Sequence, residues 1–389
     1  MFSLLRSASL APSLLPSKHL SVRYLSIDFY RGLTIAFMLI VNTPGTWDFV
    51  YPPLRHADWH GCTPTDLVFP SFMFIIGVSM WFSFEKYGRR LNQELGLKIL
   101  RRTALLFALG LLLAAFPFVG KHWETLRIMG VLQRLALGYG FAALLALVLP
   151  GRWLMGIAAV LLLGYWGLLY WSAPPLEDPY GLVHNLVRRI DFAVLGSGHL
   201  WQGKGIPFDP EGLLSTLPAI VTVLLGWWSG QLMQRHQEQK MGAVRDLLLW
   251  GCVLAVAGLA WDFVFPINKS LWTSSFVLYT GGISMVLLAF SVWALDIANG
   301  RRYVQFFLVF GANPLFAYVL AGVLTKTLIN IKWYGADGES ITLFRWIYQT
   351  VFRPIEGGEL GSLLFALAFL LVCWAVCLVL YRRKIYVKI

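Results

Sequence analysis

About ten apolar runs, each close to 20 residues long, divide this chain, and they leave it few folds to choose from. A hydrocarbon core about 30 Å thick is crossed by roughly 20 helical residues. Inside it every backbone amide and carbonyl must be paired by the segment itself or its neighbours, which admits helices and closed barrels only. A barrel would alternate apolar and polar residues over ~10-residue segments, and no such segment is evident. The fold expected is all-α: a polytopic membrane protein whose spans form a single bundle. The spans read as residues 28–43, 65–84, 100–118, 130–149, 154–171, 216–233, 247–264, 273–293, 303–325 and 362–381. With 58% hydrophobic and 13% charged residues, the chain also falls well short of the ~25% charge of soluble domains.

The formal net charge of +12 does not point to nucleic acid. The basic residues gather in short connections such as 85–102, 235–245, 301–302 and 382–388, where topology alone places them. Read that way, both termini are cytoplasmic in a multi-pass protein of the inner membrane. The first 22 residues form a short disordered cytoplasmic tail, and residues 23–389 form the transmembrane domain. No internal repeat is visible, which gives no support to an inverted-repeat carrier. The four cysteines have neither metal nor redox spacing. Cys373 and Cys377 read as packing residues, and neither a disulfide nor a metal is expected.

Two long loops, about 172–215 and 326–361, share the outer face. They hold turn signals such as Gly196-Ser197-Gly198 and Gly203-Lys204-Gly205. Loops this long are functional or disordered. Their aromatic residues, with Trp59, suit stacking on a sugar, while an interfacial aromatic belt is the plain alternative.

Between the first two spans lies a polar knot, Asn42–Asp66, where chemistry is most to be expected. A histidine near its ordinary pKa of about 6.5 takes a proton from an ammonium or attacks a thioester itself, which makes His56 the candidate for acyl transfer. A surface histidine at the interface is its plain alternative. A helical turn would put His60 on the same face, but the glutamate of a zinc HExxH motif is absent. Thr63-Pro64-Thr65-Asp66 reads as a capping box, and a capping Asp66 is also free to orient His56. Asn42, at the end of the first span, is placed to donate to an oxyanion, or simply to end the helix before Pro44. Asp28 and Arg31 form an i, i+3 pair.

Outside the knot, Gln133 and Arg134 fall within a span. A membrane arginine marks a paired or functional position, and the partner expected is Asp66 or Asp262. Asn313-Pro314 interrupts a span in a way that suits a ligand tunnel. Lys98, Arg101, Arg102, Arg301 and Arg302 are able to hold a nucleotide's phosphates, although topology explains each alone. No P-loop or dinucleotide glycine pattern is present.

Four stretches, in order, resemble a known family. They are Arg23–Gly32 with Val41-Asn42; His56–Gly61 with Thr65–Pro70 and Phe74–Gly77; Leu126–Leu135; and Ile267–Ser274. Together they resemble the heparan-α-glucosaminide N-acetyltransferases and their bacterial homologues, over residues 23–325. The resemblance implies acetyl-CoA on the cytoplasmic side and transfer to the amino group of a glucosamine-type sugar outside. It makes His56, Asn42 and Asp66 the catalytic set and demotes His60, an asparagine in the animal enzyme. Trp59, Arg127, Gln133, Arg134, Asp262 and Lys269 are expected at the acceptor, and Arg31, Arg101, Arg102, Asn313 and Arg301 at the acetyl-CoA donor. The animal enzyme's lumenal N-terminal domain and extra span have no counterpart in the reading. The acceptor expected is therefore a small amino sugar or glycan fragment. The other partners expected are the lipid bilayer and, left open, a second copy in a homodimer. The alternative function is an amino-sugar transporter.

Overall fold

The break at Asn313-Pro314 is the sharpest feature of the bundle. In the computed structural model, α10 (Val304–Ala312) and α11 (Pro314–Asn330) meet there at 83°. The model describes residues 24–118, 122–300, 302, 304–334 and 339–387. The freed amide of Asn313 is clasped from far along the chain: its Nδ2 donates to Ile385 O at 2.9 Å, and its Oδ1 accepts from Val387 N–H at 2.8 Å.

Among the described residues, eight helices are long and apolar enough to cross a membrane, or nine if the bent pair counts as one span. They are α1 (Leu25–Asn42), α2 (Val68–Ser83, entered through a tight turn at Pro64–Leu67), α4 (Val131–Val148), α5 (Gly151–Trp171), α7 (Thr216–Arg235), α8 (Lys240–Asp262), α9 (Ser274–Val292) and α13 (Glu359–Arg382). The sequence reading of about ten agrees with this count to within one helix. The difference is α3 (Gln93–Ala115), which is long enough at 23 residues but carries Lys98, Arg101 and Arg102 in its first half. At its other end the Lys326 ammonium, from α11, accepts the role of a cap. It donates to the last carbonyls, of Leu113, of Ala114 at 3.1 Å and of Phe116 at 3.3 Å.

Two crossings fix the helices that carry the knot. A side chain at Gly77 of α2 would put its Cβ 1.9 Å from Val223 O of α7, and one at Gly226 would lie 1.9 Å from Phe74 O. Gly32 of α1 and Gly311 of α10 pack equally closely: a Cβ at Gly32 would lie 1.8 Å from Phe307 O, and one at Gly311 2.0 Å from Asp28 O. In lipid, where apolar burial drives nothing, such backbone-on-backbone contact is what holds helices together. Cys373 and Cys377 are buried and unbonded in the α1–α10–α13 core, as packing residues should be.

The two long loops are more ordered than their turn signals suggest. The first contains α6 (Leu186–Leu195), begun where Asn185 accepts from Arg188 N–H. Its Tyr180, Val187 and Phe208 pack with Tyr165, Phe265 and Leu271 into a separate apolar cluster. The second holds a hairpin, β1 (Lys332–Tyr334) with β2 (Ser340–Thr342), and a short α12 (Leu343–Ile347) capped by Thr342.

Candidate active site

The knot folds around one carboxylate. Asp66 caps the turn that starts α2, and both halves of the capping box form. Its Oδ2 accepts from the Thr63 N–H, from the Thr63 hydroxyl at 3.1 Å and from the Ala57 N–H at 3.0 Å. Its Oδ1 faces the His56 Nδ1 at 2.7 Å and the Lys269 Nζ at 3.4 Å. Capping and orienting the histidine are thus done by one side chain. The segment around His56 is not helical, so His60 does not share its face. His60 meets Asn268 at 3.4 Å instead.

Lys269 arrives from more than 200 residues away on the turn between α8 and α9. That turn is stitched to the knot where Gly61 N–H donates to Ile267 O at 2.7 Å. Its Nζ stands 3.1 Å from His56 Nδ1. Burial pushes the Lys269 ammonium below the ordinary lysine range, against the pull of Asp66 and Glu211. With the Nδ1 proton given to Asp66, Nε2 is left as the ring nitrogen with a lone pair and no protein partner among the described residues.

His56 and Lys269 line a cavity of about 140 Å³ that runs into the bundle. Asn42, Thr65 and Glu211 complete its polar wall, and Met38, Phe72, Leu135, Leu315 and Tyr318 are among its apolar ones. Leu315 follows directly on the Asn313-Pro314 break, which brings the α10–α11 elbow to the cavity's edge.

A second ionic assembly flanks the same cavity. Arg127 takes both oxygens of Asp209, Nε at 2.9 Å and Nη2 at 2.7 Å, and its Nη2 also reaches Glu211 Oε2 at 2.5 Å. Burial works against the Arg127 charge, but Glu211 and Asp209 more than offset it and hold its pKa above the ordinary arginine value. Burial raises Asp209 despite its arginine. The same loop is held by Asp191, whose Oδ1 accepts from Leu213 N–H at 2.8 Å. Asp191 Oδ2 is buried without a partner among the described residues, and burial pushes this carboxyl up to about 7.

Of the other expected residues, Arg134 departs from the sequence reading in its partner. Arg134 is fully buried, but its partner is neither Asp66 nor Asp262. Its Nη2 donates to Gly212 O at 3.0 Å and to the Ser215 hydroxyl, and its guanidinium lies 5.1 Å from the Trp272 ring centre. Asp66 is taken by His56 and Lys269, and Asp262 closes a turn on Ile267 N–H at 2.5 Å. Trp59 donates to Tyr180 O at 2.9 Å and packs on Phe208, outside the cavity lining. Gln133 is buried behind it, against Gly110. None of Arg31, Arg101, Arg102 and Asn313 lines the cavity. Arg31 binds Asp28 at 3.4 Å, as read, and also Ser79 and Gly311 O. Arg102 covers Tyr139 at 4.6 Å, Arg101 is exposed, and Asn313 is committed to its clasp. Arg301 lies outside the described residues. The sequence reading missed Asp209 and Glu211. Two acids flanking one proline were a signal, in a chain with only 20 acidic residues.

The family model of heparan-α-glucosaminide N-acetyltransferase, catalytic, matches residues 23–260. The chain belongs to this family. That range takes in three of the four motif stretches, the whole knot and the Arg127 assembly. Among heparan-α-glucosaminide N-acetyltransferases, the mouse protein is 27% identical over 369 residues, covering 81% of this chain and 55% of its own length. The human protein is 26% identical over 373 residues, covering 82% of this chain and 55% of its own length. The chain thus spans about half the length of the curated relatives it matches.

Proposed function

We propose that this protein is a transmembrane N-acetyltransferase that moves acetyl from acetyl-CoA to the amino group of a glucosamine-type sugar. The observation that carries the reading is His56: an imidazole whose Nδ1 is held by Asp66, on the wall of a cavity inside a membrane bundle. An acceptor arrives as an ammonium, which must lose a proton before its nitrogen is a nucleophile. His56 Nε2 takes that proton, while Asp66 keeps the Nδ1–H and steadies the imidazolium. The amine nitrogen then bonds to the thioester carbonyl carbon, and the carbon–sulfur bond breaks. Of the two protons the nitrogen sheds, one goes to the departing thiolate and one is released. Asn42 and Lys269, on the same wall, are the donors for the carbonyl oxygen as it gains charge. The apolar walls at Met38, Phe72, Leu135 and Leu315 suit the slender, largely uncharged arm that carries a CoA thioester.

In this reading both termini and the 85–99 connection are cytoplasmic, the knot faces outward, and the donor's acetyl reaches His56 through the bundle. Two experiments test it. Purified protein in detergent, given acetyl-CoA and glucosamine, yields N-acetylglucosamine by mass spectrometry. No product with any amino sugar would remove the enzyme reading and favour a carrier. In a cysteine-free background, an impermeant thiol reagent added to intact cells labels Gln202→Cys and spares Arg90→Cys. The reverse pattern overturns the direction of transfer.

A further inference from the structure

Glu211 is the one acid of the Arg127 assembly that reaches the His56 cavity. Asp209 spends both oxygens on Arg127, and its Oδ1 also accepts the Glu211 N–H at 3.0 Å. That pair is electrically closed. Glu211 is therefore the surplus charge: one carboxylate more than the arginine needs. Only its Oε2 is engaged, at 2.5 Å from Arg127, and its Oε1 has no partner among the described residues. The residue is 8% exposed and lines the same cavity as His56, Asn42 and Lys269. A carboxylate oxygen left unpaired at a mostly apolar wall is costly unless a ligand completes it.

What completes it has to be a cation or a donor. Lys269, which lines the same cavity, is already held to Asp66, so Glu211 is the carboxylate there with an open oxygen. A ligand with a positive group is drawn to that oxygen. The ligand in hand on the reading above is an amine that arrives protonated. We propose that Glu211 binds the ammonium of the acceptor sugar through Oε1 and so selects amino sugars over their hydroxyl analogues. This rests on the acetyltransferase reading and sharpens it. Arg127 and Asp209 become its positioning residues: they hold the carboxylate and cancel each other's charge. Binding and activation are then done by different groups. Glu211 captures the charged form, and His56 takes the proton.

The test compares glucosamine with glucose, which has a hydroxyl in place of the amine. Glu211→Gln keeps the shape and an oxygen for Arg127 but removes the charge. In wild type, glucosamine is the substrate and glucose a weak competitive inhibitor. In Glu211→Gln, the glucosamine KM rises at least tenfold, about the loss of one charge-assisted hydrogen bond. The glucose inhibition constant moves less than twofold. Glu211→Asp, which keeps the charge on a shorter arm, gives an intermediate KM and stands in should Glu211→Gln not fold. Direct titration of glucosamine, followed by tryptophan fluorescence with no acetyl-CoA present, shows the same loss. Wild-type turnover with an unchanged glucosamine KM in both variants overturns this assignment and leaves the enzyme reading intact. Equal losses for glucose and glucosamine overturn it as well, because they would make Glu211 a general support of the cavity. No turnover by wild type, by contrast, strikes the enzyme reading itself.

Discussion

Two ionic assemblies face one cavity, and they are built on opposite plans. Around His56, a single carboxylate ten residues further along the knot organises a ring that stays partly exposed, at 42% for the side chain. Around Arg127, two carboxylates close on one guanidinium, and Asp209 is completely buried. The first keeps a nitrogen uncommitted and adjoins a group able to change its protonation. The second is satisfied from within, apart from one oxygen, and its charges are fixed. A site that must cycle protons and also hold a charged ligand gains from keeping these tasks on separate scaffolds. In the proposed reaction, the loose assembly serves turnover and the tight one holds its carboxylates in place.

That division predicts which measurement each substitution moves. His56→Ala should cut acetyl transfer by the ~10²–10⁴-fold typical of a positioned acid–base group, with a melting temperature near that of wild type. A large loss of stability instead would put the ring in the structural class. Radiolabelled acetyl-CoA without acceptor separates base from nucleophile, since stable label on His56 marks a covalent step.

Arg127→Ala should do the reverse. It leaves Asp209 buried without its partner, and breaking such a pair costs about 3–5 kcal/mol. The expected readout is a fall in detergent-solubilised yield and melting temperature. Wild-type stability would show that the three groups are merely neighbours. Asp66→Asn lies between the two plans, because it weakens both the cap and the ring's orientation. About 1 kcal/mol of stability should go with the cap, and the activity loss should be smaller than for His56→Ala.

The smallest effect belongs to Asp191. Its carboxyl stands at about 7 in the folded protein, above the ordinary aspartate value, because burial disfavours the charge. A group raised by folding stabilises most at low pH, where it is protonated in both states, and that contribution fades as pH climbs through 7. The melting temperature should therefore slip between about pH 4 and 7, and Asp191→Asn, neutral throughout, should flatten that slope. An unchanged slope would mean that another group sets it.

How much of this was legible in the sequence follows the distance over which each contact acts. Asp66 as cap and orienter was readable, because Thr63, Pro64 and His56 all lie within ten residues of it. The Arg31–Asp28 pair was readable for the same reason, and the helical bundle because apolar length is a local property. The partner of Arg134 was not, since Gly212 and Ser215 stand 78 and 81 residues away and nothing near Arg134 points to them. Lys269 entered only through the family resemblance, being 213 residues from His56. Asp209 and Glu211 went unread because a loop acid looks solvated until the fold brings an arginine to it.

The elbow at Asn313 has a consequence in time. Its clasping partners are translated 72 and 74 residues later, a lag on the order of 4–15 s at 5–20 residues per second. Through that interval the amide between α10 and α11, buried in the folded protein, lacks its final partners, a costly state for a polar group out of water. The ribosome thus delivers the fastening after the part it fastens, and α13 has to be threaded before the elbow can lock.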